Sequence, residues 1–120
     1  MATILIVDDT AQTLEPLTLH LQREGHTILT AKDGNTAIDV TTRQHPDLIL
    51  LDMLMPGEGG IQFLTWLRAT PEVANTKVIV MSNLESENII AKAKELGADD
   101  YFIKAEMSLD EVSQVITSKL

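Results

Sequence analysis

The sequence predicts one α/β domain: a mostly parallel sheet with helices packed on both of its faces. Three observations predict it. Short apolar runs are continuous rather than alternating, as strands buried on both faces must be. Stretches with helical spacing separate those runs, and strand and helix alternate five times. Short loops in βα alternation demand right-handed crossovers, which place helices on both sides of the sheet. At 120 residues the chain can bury one core and has no room for a second module of ordinary size, so a single domain over residues 1–120 is expected.

Taken in order, residues 4–7 (Ile-Leu-Ile-Val) predict the first strand, and Leu14, Leu17 and Leu21 the inward stripe of the first helix. Pro16 lacks a backbone donor, so this helix is expected either to begin around Thr13, with Pro16 in its opening turn, or to kink. Gly25 stands just past it, where a left-handed cap without a Cβ costs least. Residues 27–31 give a weaker second strand, and 48–51 a strongly apolar third. Gly57, Gly59 and Gly60 predict a mobile loop; Ile61, Leu64 and Leu67 then mark a helix from which Trp66 packs. Residues 78–81 predict the fourth strand, and Ile89, Ala93 and Leu96 a helix closed by Gly97. Residues 101–103 complete the sheet. Ser108 with Glu111 forms a capping box that opens a last helix, whose inward positions are Leu109, Val112, Val115 and Ile116.

Composition excludes several classes of function. No apolar run approaches the roughly 18 residues of a membrane span, and the first residues lack the features of a secretory signal, so a cytoplasmic location without membrane attachment is expected. Cysteine is absent, which removes disulfides, thiol chemistry and thiolate metal sites. Nine basic against eighteen acidic residues give a net charge of -9, which repels polyanions, so no direct nucleic-acid binding is expected. His20, His26 and His45 lack metal-ligand spacing, and the glycines form no nucleotide-binding loop.

Ligands of an open parallel sheet collect beyond the carboxyl ends of its strands. There the apolar runs lead into Asp8 and Asp9, Asp52, Ser82 and Lys104: three carboxylates, a hydroxyl and an amine at one edge. Ser82 alone reads as a helix cap and Lys104 alone as a solvated charge; their shared register is what changes the reading. Gathered carboxylates repel, and a cation relieves them. Oxygen-only ligation selects a hard ion, and Mg2+ typically takes one or two carboxylates while keeping room for water and phosphate. Lys104 and Ser82 could stabilise charge on a phosphoryl group. Asp52, following the most apolar strand, is then the candidate nucleophile, since carboxylates form acyl phosphates.

The segments Ile-Leu-Ile-Val-Asp-Asp, Leu-Ile-Leu-Leu-Asp-Met-Leu-Met-Pro-Gly, Val-Ile-Val-Met-Ser and Tyr-Phe-Ile-Lys occur in the order found in response regulators. Over nearly its whole length the chain resembles their receiver domain. The resemblance implies a doubly wound, flavodoxin-like three-layer sandwich of five βα units with strand order 2-1-3-4-5. It implies a two-component switch, an acceptor rather than an enzyme with its own substrate, in which Asp52 takes a phosphoryl group from the phosphohistidine of a histidine kinase or phosphotransfer protein. Asp9, Asp52 and the backbone carbonyl of Leu54 would hold Mg2+ with help from Asp8. Lys104 would pair with the phosphoryl group, Ser82 would move toward it and Tyr101 would swing inward. The surface of the last two helices and last strand would then be read by a downstream protein.

Two positions depart from the family pattern. Ala105 and Glu106 follow Lys104, where a proline, often in a cis bond, is usual, and Asn83 stands where a very small residue is usual. Leu54 and Leu84, if they flank the site, would slow attack by water and lengthen the modified lifetime. Two competing readings remain. A phosphohydrolase with an aspartyl nucleophile would need a second acid where Leu54 stands. A degenerate receiver binding constitutively would not need the acidic and lysine positions that are present here.

Overall fold

The computed structural model describes residues 2–53, 55, 59–82 and 87–120, with residue 87 described by its backbone. Its elements are β1 Thr3–Val7, α1 Ala11–Arg23, β2 Thr27–Ala31, α2 Gly34–Gln44, β3 Leu48–Asp52, α3 Gly59–Ala69, β4 Lys77–Ser82, α4 Glu87–Glu95, β5 Asp100–Ile103 and α5 Leu109–Lys119. A 3-10 turn at Lys104–Glu106 links the last two. All neighbouring strands pair in parallel, in the order β2-β1-β3-β4-β5. The chain therefore adopts the five-stranded α/β flavodoxin-like fold with strand order 2-1-3-4-5.

Continuous apolar strands have their physical reason in two cores. Successive strand residues point to opposite faces, so Leu5, Val7, Ile49, Leu51, Val78 and Val80 meet Ala37 of α2, Phe63, Leu64 and Leu67 of α3, and Ala93 of α4. On the other face Ile4, Ile6, Leu48, Leu50, Ile79 and Met81 meet Leu14, Leu17 and Leu21 of α1 and Val112 and Ile116 of α5. The layers are thus α2, α3 and α4 on one side and α1 and α5 on the other. Trp66 packs, half-buried, against Phe63 with ring centroids 5.9 Å apart.

Local signals mostly act as expected. Gly25 and Gly97 have φ of 95° and 90°, the left-handed conformation that ends α1 and α4. Ser108 Oγ accepts the Glu111 N–H at 3.1 Å and donates to the Glu111 carboxylate at 3.2 Å, so the capping box closes through the hydroxyl. Asp33 caps α2 by accepting the Thr36 N–H at 2.7 Å. That hydrogen bond holds its carboxyl below the usual range.

One alternative is excluded and two expectations are corrected. Of the two readings of Pro16, α1 does not start around Thr13 but at Ala11, which puts the proline in the helix interior. Gln12 and Pro16 are both exposed, so water can serve the carbonyl that proline leaves without a donor. Leu109 is 37% exposed, because the first residue of α5 precedes its contact with the sheet. Gly59 and Gly60 form the first turn of α3 rather than a loop, since Gly60 sits directly on the end of β3; Gly57 lies outside the described residues.

Arg68, near the end of α3, clasps the opposite edge of the sheet. Its guanidinium donates to the carbonyls of Ala74 at 2.8 Å, Thr76 at 2.7 Å and Gly97 at 2.7 Å, joining α3, the start of β4 and the end of α4. Among the described residues no helix is long and apolar enough to cross a membrane.

Phe63 is fully buried in the larger core. Phe63→Ala is expected to cost about 3–5 kcal/mol, whereas Leu19→Ala, at a side chain 50% exposed, should stay within about 0.5 kcal/mol. Urea unfolding of both variants checks this; equal losses would contradict the assignment of the core.

Candidate functional site

Strand register gathers the polar residues. In the parallel pairing Val7 lies opposite Leu51, Asp52 opposite Met81, and Ser82 opposite Ile103. The next residues along β1 and β5 are Asp8 and Lys104, so the chain leaves the sheet at one edge with these groups nearly level. Asp52 ends the central strand β3 and is 5% exposed, while Asp8 and Ser82 are fully buried.

Two donors of Thr10 hold the acidic pair. The Thr10 N–H donates to Asp8 Oδ1 at 2.9 Å, and the Thr10 hydroxyl donates to Asp9 Oδ1 at 3.3 Å. The Asp8 N–H itself bonds to the carbonyl of Ala31 at 3.0 Å. Asp8 Oδ2 lies beside the Lys104 ammonium, which stands 2.5 Å from it. The same Nζ donates to Asp52 Oδ2 at 3.3 Å. One cation thus spans two carboxylates from different strands.

Electrostatics at Lys104 are a balance of opposed effects. Burial pulls its pKa down; the hydrogen bond to Asp8 and the charges of Asp52 and Asp8 together outweigh this and hold it above the ordinary lysine value. Because the pKa is raised, the lysine's share of this stabilisation is present at neutral pH and is lost as pH rises through the folded value.

Asp8, Asp9 and Asp52 each bring a carboxylate oxygen within 4.8 Å of the others. Against the single charge of Lys104, the three carboxylates carry a formal excess of two negative charges among the described residues. An all-oxygen donor set of this spacing and charge fits a hard divalent cation, with Asp9 exposed to water at its rim. The described residues yield no second group of this kind, and none that includes a histidine.

The structure therefore brings together Asp8, Asp9, Asp52 and Lys104, with Ser82 at the neighbouring strand end. Tyr101 lies elsewhere on β5, opposite Val80, and packs partly buried on the face covered by α4. Leu54, Asn83 and Leu84 lie outside the described residues. Ala105 lies within the 3-10 turn after Lys104, and no peptide bond among the described residues is cis. Thr10 was not singled out in the sequence; it stands at the N-cap of α1 without a side-chain cap bond, and its donors serve Asp8 and Asp9 instead.

Comparison with known proteins adds an independent line. Residues 4–117 match the family model described as response regulator receiver domain. The chain is 36% identical over 117 residues to sporulation initiation phosphotransferase F of Bacillus subtilis, covering 98% of this chain and 92% of that protein. It is 35% identical over 104 residues to protein PilH of Pseudomonas aeruginosa, covering 87% and 86% respectively. Among solved structures, the chemotaxis response regulator CheY4 of Vibrio cholerae superposes with a TM-score of 0.91 at 24% identity, covering 100% of this chain and 99% of that one. The receiver domain of Francisella response regulator 1452 does so at 0.87 and 27% identity, covering 99% and 96%.

Mg2+ binding at this cluster would stabilise the fold by mass action. At about 100 times its dissociation constant the gain is about 2.7 kcal/mol, and Asp52→Asn should diminish it. Thermal unfolding with and without Mg2+ measures both; an identical Mg2+ response in the two proteins would contradict the assigned ligands.

Proposed function

The chain belongs to the response regulator receiver domain family of two-component signalling, and from that premise we propose that it is a single receiver domain over residues 1–120 that accepts a phosphoryl group on Asp52. The observation that carries this reading is the Lys104 ammonium, 2.5 Å from Asp8 and 3.3 Å from Asp52 at the end of the central strand. A carboxylate so placed has its oxygen beside a fixed cation that can stabilise charge on an incoming phosphoryl group.

In the transfer, an Asp52 oxygen forms a bond to phosphorus as the bond from phosphorus to the donor's histidine nitrogen breaks; the electron pair and a proton stay with the imidazole. Asp9, Asp52 and the backbone carbonyl of Leu54, with help from Asp8, would hold Mg2+. When bound, the ion supplies charge neutralisation for the phosphoryl oxygens. Lys104 pairs with one of those oxygens, and Ser82, at the end of β4, donates to another. The donor is a histidine kinase or a phosphotransfer protein. The chain acts as a switch that assists only its own modification and hydrolysis.

The readout is assigned to the surface of α4, β5 and α5. Lys104 directly follows β5, and Ser82 and Tyr101 lie on the two strands beside α4, so a new charge at Asp52 acts on elements joined to that surface. A downstream protein would distinguish the two states there. The cytoplasm, where kinase and target would meet, is the proposed location.

Incubation with Mg2+ and a small phosphodonor should add one phosphoryl group to the intact mass, and Asp52→Asn should abolish the addition. Lys104→Met should slow it on the order of 100-fold, the usual loss for one preorganised charge-stabilising donor. Uptake by the Asp52→Asn protein at the parent rate would overturn the assignment.

A further inference from the structure

We infer that Gly60 is a positioning residue for Asp52: its missing Cβ lets the first turn of α3 seat directly on the backbone that carries the carboxylate. This rests on the phosphoacceptor reading above and deepens it.

A Cβ at Gly60 would lie 2.6 Å from the carbonyl oxygen of Asp52, 2.7 Å from the Cα of Met53 and 3.1 Å from its carbonyl carbon. All three are backbone atoms, so no side chain can swing aside. Ordinary contact begins near 3.4 Å, and opening from 2.6 Å to that distance must displace either α3 or the end of β3. Neither is loosely held. α3 is anchored by the fully buried Phe63, Leu64 and Leu67 and by the Arg68 clasp at its far end. β3 is paired on both sides, and the Met53 N–H still reaches the carbonyl of Met81 at 3.3 Å.

Neighbouring glycines define the direction of the stack. A Cβ at Gly59 meets the Met55 side chain at 3.6 Å and the Gly34 backbone nitrogen at 3.7 Å, both ordinary contacts. A Cβ at Gly34, the first residue of α2, would stand 3.0 Å from the Gly59 carbonyl oxygen. The start of α2 therefore bears on the start of α3, and the start of α3 bears on Asp52 and Met53. The three glycines predict graded effects: none at Gly59, a moderate one at Gly34, a large one at Gly60.

Displacement matters because Asp52 Oδ2 has to stay beside Lys104 and within reach of the oxygens of Asp8 and Asp9. A misplacement of about 1 Å at a reacting group can cost on the order of 100-fold in rate. A purely structural glycine would lower stability without altering the rate per folded molecule or the Mg2+ concentration that supports it.

The test measures initial phosphoryl uptake per folded molecule, and the Mg2+ concentration giving half the maximal rate, in the full chain and in Gly59→Ala, Gly34→Ala and Gly60→Ala. Gly59→Ala should match the parent. Gly34→Ala should be a few-fold slower, and Gly60→Ala at least about tenfold slower with a raised Mg2+ requirement. Parent-like values in folded Gly60→Ala overturn the inference. If that variant does not fold, parent-like values in Gly34→Ala overturn it instead. Absence of uptake by the parent overturns the phosphoacceptor reading; Mg2+ affinity from thermal shifts then still separates the variants, and equal affinity in all four overturns the positioning role.

Discussion

A lysine ammonium shared between two buried carboxylates is the interaction on which this structure turns. Parallel strands in nearly equal register end together, and here β1, β3 and β5 lead into Asp8, Asp52 and Lys104. Without the lysine, Asp8 would be an unpaired charge with no exposure to water. Removing one partner of such a buried pair generally costs about 3–5 kcal/mol. With the lysine the site is held but remains negative, because Asp9 joins the other two carboxylates. The Lys104 pairs hold the carboxylates together, and the negative charge that remains suits the cluster to a divalent ion.

The rest of the fold keeps that cluster in place. Two cores, one on each face, clamp β1, β3 and β4 between five helices, so strand ends cannot drift relative to one another without opening a packed layer. α3 adds a support from beneath, where Gly60 lies against the backbone of Asp52 and Met53. Arg68, at the other end of α3, ties that helix to β4 and α4. Rigid seating on this side contrasts with the short 3-10 turn that carries the chain away from Lys104 toward α5.

Much of this was legible in the residues. Uninterrupted apolar runs marked β1, β3, β4 and β5 within a residue of their ends because burial on both faces leaves no polar position to break the pattern. The candidate site could be read for the same reason: a charge directly after such a run has only one end of the sheet to occupy. What escaped was set by contacts between distant segments. Leu109 looked inward by spacing, yet α5 meets the sheet only from Val112 onward. Gly59 and Gly60 looked like a loop because helix propensity disfavours glycine, whereas a close backbone approach requires it at Gly60. His45 adopts φ of 45° at the end of α2, a place where glycine is the usual signal. Arg68 gave no signal at all, since its carbonyl partners extend to Gly97.

A crystal structure of the protein grown with Mn2+ and beryllium fluoride tests the central claim most directly. Fluoride-bound beryllium bonded to an Asp52 oxygen, with Lys104 on one fluoride and the anomalous peak of the metal against Asp9 and Asp52, is the predicted result. Metal bound away from these carboxylates, or Lys104 turned from Asp52 to solvent, would contradict it.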